Sequence, residues 1–463
     1  MAKLPKQHKP GANAPARPTE SIQLAIINHH TAAIDIGSML MMVSYTDAQG
    51  NQRLMETDGY TESIKRLANT LKHAGVTDVA MEATGIYWTA LFEVLEEVGL
   101  NVTLINPRHF KNVHAQKTDV NDAQWMHQLH AHGLLRASHI APDLYRELRC
   151  YLHERNRAQQ QKSDTLNRIH RTLSQMNLKV QHLLSDIEGV AGMAVLRAIA
   201  AGETDPEALL QCITTKVKAD KEDLLQSLQG YYKPHFINIL KGHLRIYDFL
   251  QKEMKQFEVF IESVLQQLLP PDEDGEIPMI PAKKTKSRKN QYRFNLKVYL
   301  KKILKIDLTQ MDGIDEISVL EIISVTGTDM SKWPTAEHFV SWLNLSPRPK
   351  ISGGKVLGQQ KRFTNNKATQ AFRIAAQTMW QSKGPLGQLY KRLAAQKGSK
   401  CAVKAIARKL AVIFYNMAKH KTEYNPAKVG RDQSKIKEME IARLKKKAAA
   451  YGLTLQPVAN TSL

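Results

Sequence analysis

Residues 31–38 read Thr31-Ala-Ala-Ile-Asp-Ile-Gly-Ser38, an apolar run in which Asp35 is the one charged residue. The pattern predicts a buried strand that ends at a glycine turn. A carboxylate inside such a strand is costly unless it is paired with a cation or bound to a metal. Asp35 is therefore a candidate functional residue.

The residues around this strand predict an ordered series of elements. Two further strands follow, then a helix, a fourth strand that ends at Glu82, a second helix, a fifth strand and a third helix. The predicted ranges are 39–45, 53–57, 61–74, 76–84, 86–98, 101–106 and a helix from 119. Three strands, helix, strand, helix, strand and helix is the order of a ribonuclease-H-like domain.

The stretch Lys117-Thr-Asp-Val-Asn-Asp-Ala-Gln-Trp125 begins the third helix. Its Asp119 and Asp122 are three residues apart and share a helix face, so they can share a hard cation. Acidic residues are also favoured at a helix N-terminus by the helix dipole alone. Together with Asp35 and Glu82, however, they complete four carboxylates that the fold brings together, which predicts a metal site.

Three histidines occur in the same helix, at His127, His130 and His132. We interpret them as surface residues of the helix rather than as zinc ligands. Cys150, Cys212 and Cys401 are far apart and predict neither a disulfide framework nor a zinc site.

The length of 463 residues predicts two or three domains. No apolar run approaches the roughly 18–20 residues that a membrane span needs, and the start of the chain has no signal-peptide pattern, so we expect a cytoplasmic protein without a membrane partner.

The net charge of +21 is unevenly distributed. Residues 1–140 hold 12 Lys/Arg against 13 Asp/Glu, whereas residues 141–463 hold 53 against 31. A polycationic second part predicts a polyanionic partner, because contacts between Lys/Arg and phosphates release counterions.

The middle of the chain predicts helices and a basic segment. Residues 143–184 lack Pro and Gly and predict one long helix, a coiled-coil arm for dimerisation or for gripping nucleic acid. Residues 186–270 continue mostly helical, and 270–281 is a linker by composition. Ten Lys/Arg follow without an acid: Lys283, Lys284, Lys286, Arg288, Lys289, Arg293, Lys297, Lys301, Lys302 and Lys305. Tyr292, Phe294 and Tyr299 lie among them, which is typical of contacts with single strands or RNA. A solvated basic helix or loop is the alternative.

The last third of the chain combines compact helices with a basic loop. Residues 307–345 predict a helix-turn-helix pair hinged at Gly313, and residues 338–422 carry 17 Lys/Arg and no acid. Within the latter lies Pro349-Lys-Ile-Ser-Gly-Gly-Lys355, where two glycines after Ser352 allow close approach to a ligand. A glycine turn in a basic loop is the alternative.

These motifs, in this order, resemble one family. Asp-Ile-Gly at 35–37, Glu-Ala-Thr-Gly-Ile-Tyr-Trp at 82–88, Asn-Pro at 106–107, Lys-Thr-Asp-Val-Asn-Asp-Ala at 117–123 and a late Ser-Gly in a basic domain are similar to those of the DEDD transposases of the insertion sequence one-ten family, the bridge-RNA-guided recombinases. The resemblance covers roughly residues 30–180 and 307–424.

The resemblance implies an α/β plus α protein, with an N-terminal RuvC/RNase H-like domain, a long coiled-coil arm and a mainly helical C-terminal transposase domain. The resemblance implies the RuvC-like domain at 29–142, the coiled coil at 143–185 and the transposase domain at 307–424. The residues themselves predict a flexible arm at 1–28 and a basic tail at 425–463. Residues 186–306 are longer than the family pattern needs and are interpreted as a helical insertion with the basic RNA-contact segment.

The resemblance also implies the chemistry. Asp35, Glu82, Asp119 and Asp122 would hold Mg²⁺, as two ions, and Ser352 would attack DNA in a composite site, from the same or another subunit. The implied partners are donor and target double-stranded DNA, a structured non-coding guide RNA and further copies of the chain, as a dimer or tetramer, on the bacterial nucleoid. The predicted nucleic-acid contacts are Lys283, Lys284, Lys286, Arg288, Lys289, Tyr292, Arg293, Arg348, Lys350, Lys355, Lys361, Arg362 and Arg373.

Three positions depart from the family pattern. Asp315 stands where the family hairpin usually has a second Gly, Asn344 stands where a Gly often precedes Leu-Ser-Pro, and residues 364–373 lack the usual Gly-Asn. Two other functions stay open from the residues alone. One is a RuvC-like metal nuclease or Holliday-junction resolvase without serine chemistry, and the other is a non-enzymatic nucleic-acid chaperone.

Overall fold

The computed structural model describes residues 25–83, 85–106, 119–214, 217–271, 291–359, 366–426 and 433–454. These residues form two compact units, which divide between Ile140 and Ala141. None of the helices in these ranges is both long enough and apolar enough to cross a membrane.

The first unit contains a five-stranded mixed sheet. Its strands are β1 (Thr31–Ile36), β2 (Leu40–Thr46), β3 (Gln52–Asp58), β4 (Asp78–Glu82) and β5 (Asn101–Ile105), in the spatial order β3-β2-β1-β4-β5. β1, β2 and β3 pair antiparallel, whereas β1, β4 and β5 run parallel. The predicted order of strands and helices is confirmed, and the sheet is consistent with a RuvC-like domain.

Helices cover both faces of this sheet. α1 (Thr61–His73) and α2 (Trp88–Glu97) pack on the face that carries Ile34 and Met81. α3 (Asp119–Ala131) packs on the other face, where its Met126 joins a small core with alanines of β1 and β4. The alternation of side chains along each strand assigns these two sets of residues to opposite faces.

The second unit is largely helical. Its helices are α4 (Asp143–Gln175), α5 (Val180–Leu183), α6 (Val190–Ala201), α7 (Pro206–Gln211), α8 (Lys221–Leu228), α9 (Pro234–Gln267), α10 (Leu296–Leu304), α11 (Glu316–Thr326), α12 (Ala336–Trp342), α13 (Lys367–Thr378), α14 (Pro385–Lys397), α15 (Ser399–His420) and α16 (Gln433–Ala450). A separate hairpin consists of β6 (Pro349–Ser352) and β7 (Lys355–Gln359).

The long helices α4 and α9 pack side by side and antiparallel. Ala158 of α4 packs with Leu250 and Met254 of α9, and farther along α4 Ile169 packs with Leu244. The prediction that the helix continues to about Leu184 is wrong. It ends at Gln175, because Asn177 adopts a left-handed conformation (φ 58°). The amides of Asn177 and Leu178 donate to the carbonyls of Ser174 and Leu173, which is a C-terminal Schellman motif.

Residues 177–214 and 217–230, which we call the cap, form short helices at the end of this pair where α4 ends and α9 begins. The apolar residues of the cap share a core with Leu173 of α4 and Leu240 of α9. The backbone amide of Tyr231 donates to the carbonyl of Met176 over 2.8 Å, so the chain returns to the point at which it left the pair. The cap therefore begins and ends at one place.

The C-terminal helices enclose an aromatic core. Phe339, Phe372 and Phe414 pack against one another with no exposed surface. The predicted helix-turn-helix is partly wrong: a three-residue 3₁₀ turn, Leu308–Gln310, precedes Gly313 in place of a first helix, and α11 follows. Gly313 has φ 75°, and a Cβ there would lie 2.5 Å from Met379, so the turn packs tightly on α13.

Candidate functional site

Asp35 and Glu82 lie at the carboxyl ends of neighbouring parallel strands. Ile34 of β1 pairs with Met81 of β4, so Asp35 and Glu82 follow at the next position of each strand. Alternation along the strands assigns both residues to the face that α3 covers, two positions after the alanines of that face. Both side chains are half-buried. The sheet thus brings these two predicted residues to one end and one face.

α3 begins at the same end of the sheet. Its Asp122 is half-buried and precedes Met126, the residue that packs on the sheet, by one helical turn. Residues four apart share a helix face, so Asp122 lies on the side of α3 that faces β1 and β4. Asp119 is the first residue of the helix, and its side chain lies outside the described residues.

The donor set fits a hard divalent cation. Carboxylate oxygens without His or Cys are the ligands that Mg²⁺ accepts, and Mg²⁺ commonly keeps waters in its remaining positions. Within the described side chains, which exclude Asp119, no three His, Cys, Asp or Glu residues are close enough together to hold a metal ion. Asp35, Glu82 and Asp122 are therefore brought to one end of the sheet without forming a complete ligand set by themselves.

The prediction that the histidines of α3 lie on the surface is wrong for two of them. His127 is 4% exposed and His130 is 6% exposed. His127 bonds to three hydroxyls: Nδ1 lies 2.9 Å from Ser44 Oγ, and Nε2 lies 3.1 Å from Thr31 Oγ1 and 3.2 Å from Thr46 Oγ1. A sequence signal existed in the hydroxyl residues at alternate positions of β2, Ser44 and Thr46, which predict a polar patch on one face.

Ser352 ends β6 at the tip of the hairpin, where it is exposed. It pairs with Lys355 across Gly353 and Gly354, whose φ angles are 54° and 75°. Positive φ at both turn residues is the requirement of a type I′ hairpin turn, which two glycines meet without strain. Lys355 is exposed as well. The glycines thus hold the hydroxyl and a cation side by side at an open tip.

Five of the predicted nucleic-acid contacts are exposed cations of the second unit: Arg293, Arg348, Lys350, Lys355 and Arg373. Arg348, just before the hairpin, donates to Ser341 Oγ of α12 over 3.1 Å. The other cations of that set lie outside the described residues: Lys283, Lys284, Lys286, Arg288, Lys289, Lys361 and Arg362.

The structure corrects the prediction for Tyr292 and its neighbouring rings. Tyr292 is 4% exposed, and the Arg155 guanidinium lies 4.2 Å from the centre of its ring. Phe294 and Tyr299 are buried in the same core. A base cannot stack on a ring whose faces are already packed, so these aromatic residues contribute to stability rather than to nucleic-acid contact.

Asp315 shows how the chain accommodates a departure from the family pattern. Its carboxylate accepts hydrogen bonds from the backbone amide and the hydroxyl of Ser318, at 2.9 and 2.7 Å. Asp is a strong N-cap residue, so α11 begins here with a side-chain cap. Asn366 caps α13 in the same way, through Thr369.

Comparison with known families places these residues in two matched segments. Residues 32–178 match the DEDD transposase model of the IS110 type, and residues 307–391 match the model of the transposase IS116/IS110/IS902 family. No curated protein matches the chain. The first segment contains the four carboxylates and the second contains Ser352.

A DEDD transposase domain implies dependence on a divalent metal, and both matches imply DNA binding. The two matched segments together cover half of the chain. In the first, the sheet has the order of a RuvC-like domain and carries carboxylates at the carboxyl ends of its parallel strands. The chain belongs to the IS110 family of transposases, the DNA transposases and recombinases of mobile elements.

Proposed function

We propose that this protein is a site-specific DNA recombinase of a mobile element that is guided by a structured non-coding RNA. Ser352 is the nucleophile, and Asp35, Glu82, Asp119 and Asp122 hold Mg²⁺. Family membership supports the general activity. The observation that carries the finer proposal is the exposed Ser352 beside Lys355 at the tip of a glycine-turned hairpin.

Ser352 lies in a stretch of the chain that has no acidic residue to activate its hydroxyl. A serine hydroxyl is a weak nucleophile until a base or a metal activates it. Residues 338–422 contain no Asp or Glu, so this stretch supplies no activating carboxylate of its own. The four carboxylates of the first unit are the candidates, and a bound divalent cation would supply Lewis-acid polarisation of the scissile phosphate.

The proposed step is a transesterification at phosphorus. Ser352 Oγ forms a bond to the phosphorus, the bond between phosphorus and the leaving sugar oxygen breaks, and the serine proton passes to a carboxylate or water. The leaving oxygen is protonated in turn. Lys350 and Lys355 stabilise the negative charge of the phosphate. The phosphoserine ester that forms is close in energy to the phosphodiester that it replaces. A hydroxyl of a second DNA end can therefore attack the same phosphorus, join the two DNA ends and release Ser352.

The proposed partners follow from charge and family. Duplex DNA contacts Arg348, Lys350, Lys355 and Arg373, which are exposed in the acid-free region. A structured RNA contacts the basic residues between 283 and 293, together with Lys361 and Arg362. The helix α4 is the proposed coiled-coil arm, which was expected at 143–185, and through it copies of the chain associate as a dimer or tetramer.

A trapped DNA adduct tests the serine. Wild-type protein is incubated with its copurified RNA, MgCl₂ and a nicked DNA substrate whose cleaved end diffuses away. The adduct is then sought as a band that survives detergent and disappears with protease. Ser352→Ala should give no adduct. Ser399→Ala is the matched control, because Ser399 is another exposed serine of the acid-free region.

The variants distinguish the three functions. If Ser352→Ala keeps full strand exchange and still traps the adduct, the serine has no covalent role. If the Ser352→Ala protein cleaves DNA with Mg²⁺ and without RNA, the protein acts as a metal nuclease or junction resolvase. The double variant Asp35→Asn with Asp119→Asn should lose cleavage and keep nucleic-acid binding. In a non-enzymatic chaperone, this double variant would keep full function.

Sequencing the nucleic acid that copurifies with the protein identifies the guide RNA.

A further inference from the structure

The His127 side chain connects α3 to two strands of the sheet. It lies on α3, whereas its hydrogen-bond partners Thr31, Ser44 and Thr46 belong to β1 and β2. Thr31 and Ser44 are fully buried. This cluster of three hydroxyls and one imidazole stands apart from the carboxylates, and the proposed reaction does not use it.

The cluster is satisfied by a neutral ring. Gln52 Nε2 donates to Ser44 Oγ over 2.9 Å, so the Ser44 proton is available for donation to Nδ1 of His127. In the tautomer that matches this arrangement, Nε2 of His127 carries the single ring proton and shares it between Thr31 Oγ1 and Thr46 Oγ1, at 3.1 and 3.2 Å. A neutral imidazole has one donor and one acceptor nitrogen, and both are used here. Burial costs little because no charge is buried.

The cluster sits at the opposite end of α3 from its carboxylates. His127 follows Asp122 by five residues and Asp119 by eight, about 7.5 and 12 Å along the helix axis. Thr31 precedes Asp35 by four residues, about 13 Å along β1. With His127 fixed over Thr31, the start of α3 at Asp119 comes to the level of Asp35, and the backbone of Asp122 lies roughly 5 Å short of it.

Apolar packing alone leaves this placement loosely determined. Between the cluster and the carboxylates, Met126 packs on the small side chains Ala33 and Ala80, with Ile105 of β5 in the same core. Apolar contacts are non-directional, so this packing fixes the translation and rotation of a helix less specifically than hydrogen bonds do. A slip of one residue turns a helix by about 100° and would carry Asp122 off the face of the sheet.

We propose that His127 is a positioning residue for the metal site, because its three hydroxyl contacts fix the translation and rotation of α3 on the sheet and thereby the placement of Asp119 and Asp122 relative to Asp35 and Glu82. The inference rests on the proposed metal site. It assigns a role to a buried histidine that touches neither metal nor DNA.

Metal affinity, measured without any reaction, tests this role. Mn²⁺ serves as the probe, and free Mn²⁺ is quantified by electron paramagnetic resonance as full-length protein is titrated. His127→Leu removes both ring nitrogens and should raise the Kd for Mn²⁺ about 10- to 100-fold, the usual effect of losing a group that orients metal ligands. Hydrogen exchange of the α3 amides should become faster in the same variant.

His130→Leu is the matched control. His130 is equally buried on the same helix, one turn later, and among the described residues its Nε2 finds no hydrogen-bond partner. The control therefore makes the same exchange of side chain without breaking the hydroxyl cluster, and it should keep the wild-type affinity for Mn²⁺. Equal losses of affinity in both variants would show a general packing effect and overturn the positioning role.

Two partial replacements separate the ring nitrogens. His127→Asn places an amide near Nδ1 and keeps the Ser44 contact, whereas His127→Gln reaches towards Nε2 and keeps the threonine contacts. Each should recover part of the affinity that leucine loses. Ser44→Ala removes one hydroxyl with minimal change of volume, and it should weaken Mn²⁺ binding even if His127→Leu fails to fold.

The outcomes distinguish the two proposals. If wild-type protein binds no Mn²⁺ and Asp35→Asn changes nothing, the metal site itself fails and the role of His127 fails with it. If wild-type protein binds Mn²⁺ and both His127→Leu and Ser44→Ala bind it equally well, only the positioning role is overturned. Retained binding in His130→Leu together with weakened binding in His127→Leu supports both.

Discussion

Asn344 takes a left-handed backbone conformation, with φ 56°, at a position where the family often has glycine. The left-handed region is costly for L-residues because Cβ crowds the backbone, and Asn tolerates it better than most. Asn in place of glycine at position 344 thus keeps the left-handed backbone conformation. Asn344 and glycine solve the same local problem just before the Leu-Ser-Pro stretch.

We therefore expect Asn344→Gly to leave the stability of the protein nearly unchanged and Asn344→Ala to lower the free energy of unfolding by about 1 kcal/mol. Urea unfolding followed by circular dichroism measures both. Equal stability of the alanine variant and wild type would show that the turn relaxes to a right-handed conformation.

His127 should make stability depend on pH. Burial lowers its pKa to about 4, below the ordinary value of about 6.5 in the unfolded chain. Above pH 6.5 His127 is neutral in both the folded and the unfolded chain, so its protonation costs the folded state no stability. Between pH 6.5 and 4 only the unfolded chain takes up the proton, so the free energy of unfolding falls, by on the order of 3 kcal/mol in total.

Urea unfolding at a series of pH values checks this dependence, with His127→Gln as the comparison. The variant should lose less stability on acidification than wild type. Some pH dependence should remain, because burial also lowers the pKa of His130, partly opposed by the charge of Asp78. Parallel curves for the two proteins would contradict the prediction.

At the residue level, the sequence led to Asp35 because a carboxylate in an apolar strand violates its surroundings, and the structure does place it in β1. Glu82, Asp119 and Asp122 followed from the order of elements, and the role of all four at a metal stays a prediction. His127 was misjudged because its partners come from two strands about 80 to 100 positions away in the chain. Nothing local distinguishes a buried helix histidine from an exposed one.

At the scale of elements, the turn of the β6–β7 hairpin is a place where a substitution should change activity without changing stability. Its turn residues Gly353 and Gly354 both have positive φ, and no heavy atom lies near the place of a Cβ at either. Gly353→Asn should be tolerated because Asn-Gly is the preferred type I′ pair. Gly354→Val should distort the tip, since β-branched residues avoid positive φ.

We expect Gly354→Val to abolish the covalent DNA adduct while the midpoint of urea unfolding stays at the wild-type value, because β6 is exposed along its length. Gly353→Asn should keep both. An active Gly354→Val protein would show that the geometry of the tip does not govern Ser352.

The α4–α9 pair contains a buried ion pair. Arg155 donates through two nitrogens to Glu258 Oε1, at 2.8 and 3.0 Å, and both side chains are at least 93% buried. Glu258→Leu leaves a buried guanidinium without this carboxylate and should cost about 3–5 kcal/mol of stability. Arg155→Met added to it should restore most of the loss, because apolar replacement of both partners is often neutral.

Thermal unfolding of the single and double variants measures this effect. A double variant as unstable as Glu258→Leu would show that Arg155 stabilises the pair mainly through other contacts, such as the ring of Tyr292.

Most elements of the first unit could be predicted because strands of period two and helices of period 3.6 follow one another with clear turns. The end of α4 could not, because the chain beyond it stays rich in Leu and Gln, and a single left-handed Asn177 ends the helix. The basic aromatic segment around Tyr292 was misread for a related reason: rings among lysines are typical of RNA contacts, and only tertiary packing buries them.

At the scale of the whole molecule, charge divides the chain into regions of different use. Residues 338–422 have 17 Lys/Arg and no acid, whereas the helical cap, residues 177–230, has five Lys/Arg against eight Asp/Glu. We expect DNA phosphates to be attracted to the first region and repelled by the second, because the first has a net positive charge and the second a net negative charge. The cap is therefore a poor candidate for the RNA contact that we expect in the segment 186–306. The basic residues after 282 are the better candidates for that contact.

Salt dependence of DNA binding tests this division. Changing Arg348, Lys350 and Lys355 together to Gln should reduce the log–log slope of affinity against salt by up to about 0.9 for each phosphate that these cations no longer neutralise. Fluorescence anisotropy with a labelled duplex at several salt concentrations gives the slope.

The control removes three exposed cations from the cap: Arg197, Lys218 and Lys221, each changed to Gln. The loss of charge is the same, so an effect of net charge alone would appear equally in both variants. We expect the cap variant to keep the wild-type slope. Equal slopes in all three proteins would contradict binding through the hairpin region.

The hydrogen bond between the Tyr231 amide and the Met176 carbonyl has an evolutionary consequence. Because the chain leaves and re-enters the helix pair at one point, we expect that a change in the length of residues 177–230 need not shift the register of α4 against α9, as long as Leu173 and Leu240 stay covered. Neither family match extends through this segment, since the first ends at residue 178 and the second begins at 307. We therefore predict that members of the family differ in length here more than in the matched segments.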